Sequence, residues 1–306
     1  MKTKLTRLFG IEHPIVQGGM AWVSDAELVA AVAEAGGIGS IGSARRSPEW
    51  VREQIRKARQ LTDKPFGVNL VLLDKDFEQK KEVVIQEGVA YVATGAGNPV
   101  PHIKDFHDVG IKVMPVVPNL KLAKRVAAAG ADAIVVEGME AGGHIGKLTT
   151  MALLTQVVPE IDIPVVVAGG IVDGRGVAAA LLMGASGVQM GTRFYASLEC
   201  TAHQNAKQAI VDAIDVDTEV TGGRGHEVRG LRNKMTEKYH QLVSAGAPFE
   251  EIEKLVTGTS KMAPQDGDVD WGFVQAGQSL TPIVSIMSCR DIITKIMRDA
   301  ELLYKG

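Results

Sequence analysis

His144 stands in the run Glu137-Gly-Met-Glu-Ala-Gly-Gly-His-Ile-Gly. Glycines on both sides leave its imidazole reachable by a ligand. Its near-neutral pKa suits proton transfer or polarisation of a carbonyl. Two later runs, PVVVAGG at 164–170 and GVQMGT at 187–192, bring glycine to their ends. Glycine lets backbone N–H groups approach an anion with no Cβ in the way. Tight turns also call for glycine, but two such runs in succession favour a phosphate held by the loops in which they end. Asn69 lies in the apolar run FGVNL, where a lone polar side chain needs a partner in a neighbouring loop or a bound ring. Gln17-Gly-Gly19-Met20-Ala21-Trp22 carries small residues through which backbone could meet a flat ring edge. Met20 and Trp22 suit core and lid positions equally.

Other chemistries find less support. No second histidine or carboxylate stands at metal-ligand spacing from His144, and no GxSxG elbow marks a serine hydrolase. His13 precedes Pro14 at the opposite end of its strand. His102, His107, His203 and His240 fall on helical patterns as surface or packing residues. His226, within TGGRGHEVRGLRN, could meet an anion, although a solvated loop is the plainer reading.

The elements that must position these residues follow a cadence. Apolar, β-rich runs occupy 14–19, 37–42, 66–73, 91–97, 112–118, 133–138, 164–170 and 187–192, beginning 21 to 31 residues apart. Each is followed by a helical pattern, and the runs are continuously apolar, as parallel strands covered on both faces require. Ser24 with Glu27 reads as a capping box, and Ser47-Pro48 as an N-cap with proline at the first helical position. Gly36, Gly88, Gly110, Gly130 and Gly184 stand where helices would end. Eight units of this kind predict a (β/α)8 TIM barrel, an α/β fold. The polar and glycine residues named above fall at the C-terminal ends of its strands, where that fold builds its sites.

After about residue 198 the cadence stops. Residues 199–280, with helical patterns at 203–214 and 229–245, predict a smaller, mostly helical lid inserted after the eighth strand. Residues 1–198 and 281–306 make the barrel, and CRDIITKIMRDAELLYK at 289–305 is an amphipathic helix that packs back on it.

The bulk composition is that of an ordinary globular protein. Of 306 residues, 45% are hydrophobic and 23% charged, with a formal net charge of −3, which favours neither nucleic acid nor an anionic membrane. Two distant cysteines, Cys200 and Cys289, make no disulfide framework. The basic start lacks a long apolar run, and no stretch reaches the ~20 apolar residues of a membrane span. A cytoplasmic homodimer is the expectation from these features and from base rates.

The motifs also carry a family resemblance. QGGMAW at 17–22, FGVNL at 66–70, TGAGNP at 94–99, EGMEAGGHIGKLTTM at 137–151, PVVVAGGI at 164–171 and GVQMGTRF at 187–194 resemble, in order, the nitronate monooxygenase and flavin-dependent enoyl-ACP reductase superfamily. GDVDWGFVQAGQ at 267–278 is similar to its second-domain signature. Within that superfamily the chain most resembles enoyl-[acyl-carrier-protein] reductase II.

The resemblance implies FMN, with its phosphate on Gly169, Gly170, Gly191 and Thr192. The rest of the cofactor would meet Gly19, Met20, Ala21, Asn69, Glu137 and Gly143, with His144 as the catalytic residue. It implies NADH or NADPH as reductant, acyl carrier protein as the bearer of an enoyl thioester, and activation by a monovalent cation for which no residues are assigned. Arg224, Arg229, Arg232 and Lys234 could meet that carrier or a dinucleotide phosphate, a solvated charged face being the alternative. Two other functions compete. One is a nitronate monooxygenase using FMN and oxygen. The other is a ligand-binding barrel without turnover, which would have little use for an accessible imidazole.

Overall fold

The computed structural model describes residues 1–223 and 225–305, so Arg224 lies outside the described residues. The eight runs form a closed barrel of parallel strands: β1 (Ile15–Gln17), β2 (Ile38–Gly42), β3 (Gly67–Val71), β4 (Tyr91–Gly95), β5 (Lys112–Val117), β6 (Ile134–Glu137), β8 (Val165–Ala168) and β9 (Gly187–Met190). β9 closes on β1 with Val16 opposite Gln189 and Gln17 opposite Met190. Several strands stop short of their apolar runs because the terminal glycines leave the ladder to form the rim. A separate antiparallel sheet joins β7 (Gly143–His144), β11 (Val228–Leu231) and β10 (Thr218–Thr221). This is a (β/α)8 barrel.

Alternation along each strand sorts the core into two layers. Val16, Tyr91, Ala93, Met114, Val135, Val166 and Ala168 belong to one buried cluster, inside the barrel. Ile134, Val136, Val165 and Val167 belong to another, beneath the helices. The helix Lys4–Phe9 plugs the N-terminal end, its Phe9 ring 5.2 Å from that of Tyr91. Asn69 shares the parity of Gly67, Glu137 that of Val135 and Gln189 that of Gly187. A period of two therefore directs all three to the inner face at the open end.

The helix signals divide. Ser47 caps the helix Pro48–Leu61, accepting from the Trp50 N–H at 3.2 Å. The five helix-ending glycines have φ between 67° and 97°, a region costly for other residues. Ser24 departs from its expected role. Asp25 occupies the N-cap position of Ala26–Glu34, and the buried Ser24 hydroxyl accepts from Gln17 Nε2 and the Met20 N–H, both at 2.9 Å. The hydroxyl fixes the turn after β1 and is therefore unavailable to the helix.

The helix Cys289–Lys305 packs on Gly174–Leu182, so closely that a Cβ at Gly174 would lie 2.6 Å from the Ala300 nitrogen. Between barrel and final helix the chain forms Gln204–Asp212, Lys234–Ser244 and Phe249–Val256, together with the β10–β11 hairpin. The helical pattern expected over 229–245 begins only at Lys234. Val228–Leu231 is a strand, and Asn233 caps the helix by accepting from the Thr236 N–H. The Leu231 N–H donates to the Val274 carbonyl, which holds that stretch extended. Among the described residues, no helix is long and apolar enough to cross a membrane.

Interior packing makes one position a sharp test. A Cβ at Gly67 would come 2.3 Å from Cε1 of the fully buried Tyr91. Overpacking of this kind costs about 1–3 kcal/mol. Gly67→Ala should lower the urea midpoint accordingly, whereas an unchanged midpoint would contradict the interior placement of Tyr91.

Candidate active site

The open end of the barrel carries the residues singled out above. The turn after β1 is wedged between neighbours. A Cβ at Gly19 would lie 2.3 Å from Cβ of Asn69, and one at Gly42 would lie 2.4 Å from the Met20 carbonyl oxygen. Met20 Sδ in turn sits 3.5 Å from where Gly191 would carry a Cβ. Strands β1, β3 and β9 thus bring Gly19, Met20, Asn69 and Gly191 together, with Ala21 continuing the turn. The backbone oxygen of Asn69 accepts from the Ser43 hydroxyl at 2.6 Å. Among the described residues, no protein group bonds its side-chain amide, which is only half-buried and so is open to a ligand.

Glu137 ends β6 on the same inner face. Burial pushes its carboxyl up to about 7, and among the described residues it has no cationic partner. Near neutrality this group is therefore partly protonated, able both to donate and to accept a hydrogen bond. Gln189, on the inner face of β9, completes a polar layer. Its side chain lies 2.9 Å from where Gly18 would carry a Cβ. Gln189 carries no motif of its own in the sequence, and only counting by twos from Gly187 places it on the inner face.

The glycine-rich loop after β6 has no regular structure of its own until Gly143. Arg229 donates to the Met139 carbonyl at 3.1 Å, and the Gln278 N–H to the Glu140 carbonyl at 2.9 Å. One carboxylate oxygen of Glu140 accepts from the Thr150 N–H at 2.8 Å and hydroxyl at 2.7 Å. The same hydroxyl reaches the Gly169 oxygen at 2.9 Å. β7 then pairs with β11, His144 opposite Val228 and Gly143 opposite Arg229. His144 is thus held on a short strand while its side chain stays exposed. Partial desolvation of the ring by the atoms around it, then the charges of Arg45 and His226, hold its pKa below the usual histidine value. A neutral imidazole at pH 7 follows, a hydrogen-bond donor through one ring nitrogen.

The loops after β8 and β9 lie under one crossing segment. Ser279 Oγ donates to the Gly170 carbonyl at 2.8 Å, and the Gly277 N–H to Thr192 Oγ1 at 3.0 Å. Gly169 needs its φ of 98°, and a Cβ there would lie 2.8 Å from the Gly138 oxygen. Among the described residues, no acceptor meets the N–H groups of Gly170, Gly191 and Thr192. Unpaired amides in two adjacent glycine loops fit a phosphate group. A flat ring would find small residues at Gly18 and Gly19 and polar side chains at Asn69, Glu137 and Gln189. The residues present therefore fit FMN, and no cluster of His, Cys, Asp or Glu suited to a metal occurs among the described residues.

The charged residues of the late segment divide. Arg229 is 5% exposed and bonds Met139 and Thr218, so its guanidinium is engaged within the protein, whereas Arg232 and Lys234 stand exposed. Arg232 faces Glu219 and Lys234 pairs with Asp270. The minor histidines follow expectation: His102 stacks edge-on against Phe77, His107 meets Asp132, and His203 caps Gln204–Asp212. Left-handed backbone outside glycine marks Trp22, Arg45 and Ala96, at φ of 72°, 60° and 51°, all in loops at this end of the barrel. Such strain concentrates at functional sites.

The chain aligns with known proteins over almost its whole length. Its fold matches that of FabK from Thermotoga maritima with a TM-score of 0.96 and 44% identity, covering 100% of this chain and 98% of that one. It is 35% identical to (3aS,4S,5R,7aS)-5-hydroxy-7a-methyl-1-oxo-octahydro-1H-indene-4-carboxyl-CoA dehydrogenase of Mycobacterium tuberculosis, over 98% of this chain and 96% of the relative. It is 32% identical to a probable nitronate monooxygenase of Staphylococcus saprophyticus, over 98% of each. The family model described as nitronate monooxygenase matches residues 2–83 and 73–299. With the barrel, the open rim and these matches together, the chain belongs to the nitronate monooxygenase family of oxidoreductases.

Proposed function

We propose that this chain is an FMN-dependent enoyl-ACP reductase, which uses NADH or NADPH to saturate a trans-2-enoyl thioester. The observation that carries the reading is His144, fixed by strand pairing at the open end of the barrel with its side chain exposed. Bound FMN supplies a centre that accepts hydride from a nicotinamide and passes it to the β-carbon of the alkene. The amides of Gly170, Gly191 and Thr192 hold the phosphate. Asn69, Gln189 and the partly protonated Glu137 offer hydrogen bonds to the polar edges of the ring. Negative charge collects on the thioester oxygen as the β-carbon is reduced, and a His144 N–H directed there stabilises it. A proton reaching the α-carbon completes the saturation. The overlay on FabK and the CoA thioester in the mycobacterial relative's name support a thioester substrate. Acyl carrier protein is the bearer this reading proposes.

The nitronate-oxidising reading draws on the staphylococcal relative and uses the same histidine toward a nitronate. One anaerobic experiment separates the two. The purified protein should be yellow, bleach rapidly with NADH, and recover its colour on addition of crotonyl thioester. Failure of NADH to bleach it, together with oxygen-dependent nitronate turnover, would overturn the reductase reading. His144→Ala should retain flavin and lose enoyl turnover by about 10²–10³-fold, the range for removing one oxyanion donor. Near wild-type turnover in that variant would remove His144 from the chemistry.

Glu137 gives a pH test. Its carboxyl ionises near 4.5 when unfolded and near 7 when folded. Between these values the unfolded chain releases a proton that the folded one keeps. The stability from this group is full below 4.5 and is lost as pH rises to about 7. Urea midpoints on flavin-stripped protein should therefore show Glu137→Gln gaining on wild type across that interval. A constant difference would mean the carboxyl is not held as described.

A further inference from the structure

Cations at the mouth of the barrel are arranged unlike those on its flank. On the flank, Arg52, Arg56 and Arg59 converge on Glu87. At the mouth, Arg45 and Lys261 form no ion pair with a carboxylate among the described residues, while His226, which like Arg45 lies near His144, acts on the neighbouring Glu227. Lys261 follows Ser260, the lid residue that Arg45 touches, and lies 5.6 Å from the Trp22 ring centroid.

Arg45 is the most built of the three. It is exposed, yet its backbone is held at φ 60°, a conformation that an ordinary solvated arginine has no reason to adopt. Its N–H donates to Asp74 Oδ2 at 3.3 Å. That carboxylate is gripped by Lys80, whose side chain is 1% exposed and whose ammonium also donates to the Ser43 carbonyl at 3.1 Å. A buried ion pair therefore sets the loop from below. From above, the guanidinium meets only the Ser260 hydroxyl among the described residues, at 3.4 Å, a long and weak contact. Most of its five donors stay free, in a planar fork that matches phosphate oxygens.

We propose that Arg45 is a specificity residue for a phosphate ester on the substrate side of the mouth, with Lys261 extending the positive field. The chemistry is shared by nicotinamide nucleotides and by the phosphopantetheine arm that bears acyl thioesters. The assignment rests on reading the mouth as the entrance for such substrates. It concerns a second phosphate, apart from the one assigned to the glycine loops of β8 and β9.

Calorimetry on oxidised, flavin-loaded protein tests it without turnover. Two ligand pairs differ only in a phosphate: nicotinamide mononucleotide against nicotinamide riboside, and 4′-phosphopantetheine against pantetheine. Wild type should prefer the phosphorylated member of at least one pair by about ten-fold, as a charge-assisted contact gives. Arg45→Gln should reduce that preference to near one, and Arg45→Lys should retain part of it, both with an unchanged flavin spectrum. The pair that responds identifies the ligand. Absence of any preference in wild type, or its survival in Arg45→Gln, overturns the proposal. Loss of preference in Arg45→Gln, in a protein that proves inactive toward enoyl thioesters, would uphold Arg45 and reject the reductase reading alone.

Discussion

Glycine-rich loops at the rim can approach a ligand closely because they lack side chains, and for the same reason they cannot hold a shape alone. The site therefore depends on backbone hydrogen bonds supplied from elsewhere in the chain. Residues 277–279 provide several of them, reaching Thr192, Glu140 and Gly170 in turn. The lid hairpin provides others, through Arg229 to Met139 and through the β11–β7 pairing. Three loops that follow three different strands are fastened by one stretch of the late sequence. That stretch has little regular structure because its polar backbone is spent on the loops.

The electrostatics follow from the same arrangement. An apolar barrel interior ends in a layer of Asn69, Glu137 and Gln189, so the polar groups sit where dielectric screening is weakest. Burial keeps Glu137 largely protonated until about pH 7 and holds His144 toward its neutral form. Neither group then brings a full charge to the floor of the site. Hydrogen bonds there can respond to charge that develops during reaction, with little competition from fixed charge. The fixed positive charge stands further out, at Arg45.

Much of this was legible in the sequence. Eight apolar runs followed by helical patterns predict the barrel because parallel strands buried on both faces have few other solutions. The rim was legible through glycine, and His144 through glycines on either side of it. What escaped was long-range. Ser24 reads as a cap until its hydroxyl is found on the turn after β1. Arg229 reads as surface charge because nothing local announces that it is buried on the Met139 carbonyl. VRGL carries too weak an alternation to declare a strand, and pairs because β10 and the loop of His144 each offer it an edge. Arg45 resembles any loop arginine until its backbone angle and the Lys80–Asp74 pair beneath it are seen.

The two-residue strand that carries His144 has a consequence for how this architecture can vary. Neighbouring residues of a strand face opposite ways, so a slip of one position between β7 and β11 would turn the imidazole away from the barrel mouth. The hairpin behind β11 is thus a gauge for the histidine as well as a cover. Lids of different size can be accommodated beyond the hairpin, where Phe249–Val256 contributes no fully buried residue. Insertions between β10 and β11 are accommodated only if they preserve that register. In this fold, remodelling the lid and aiming the histidine are a single problem.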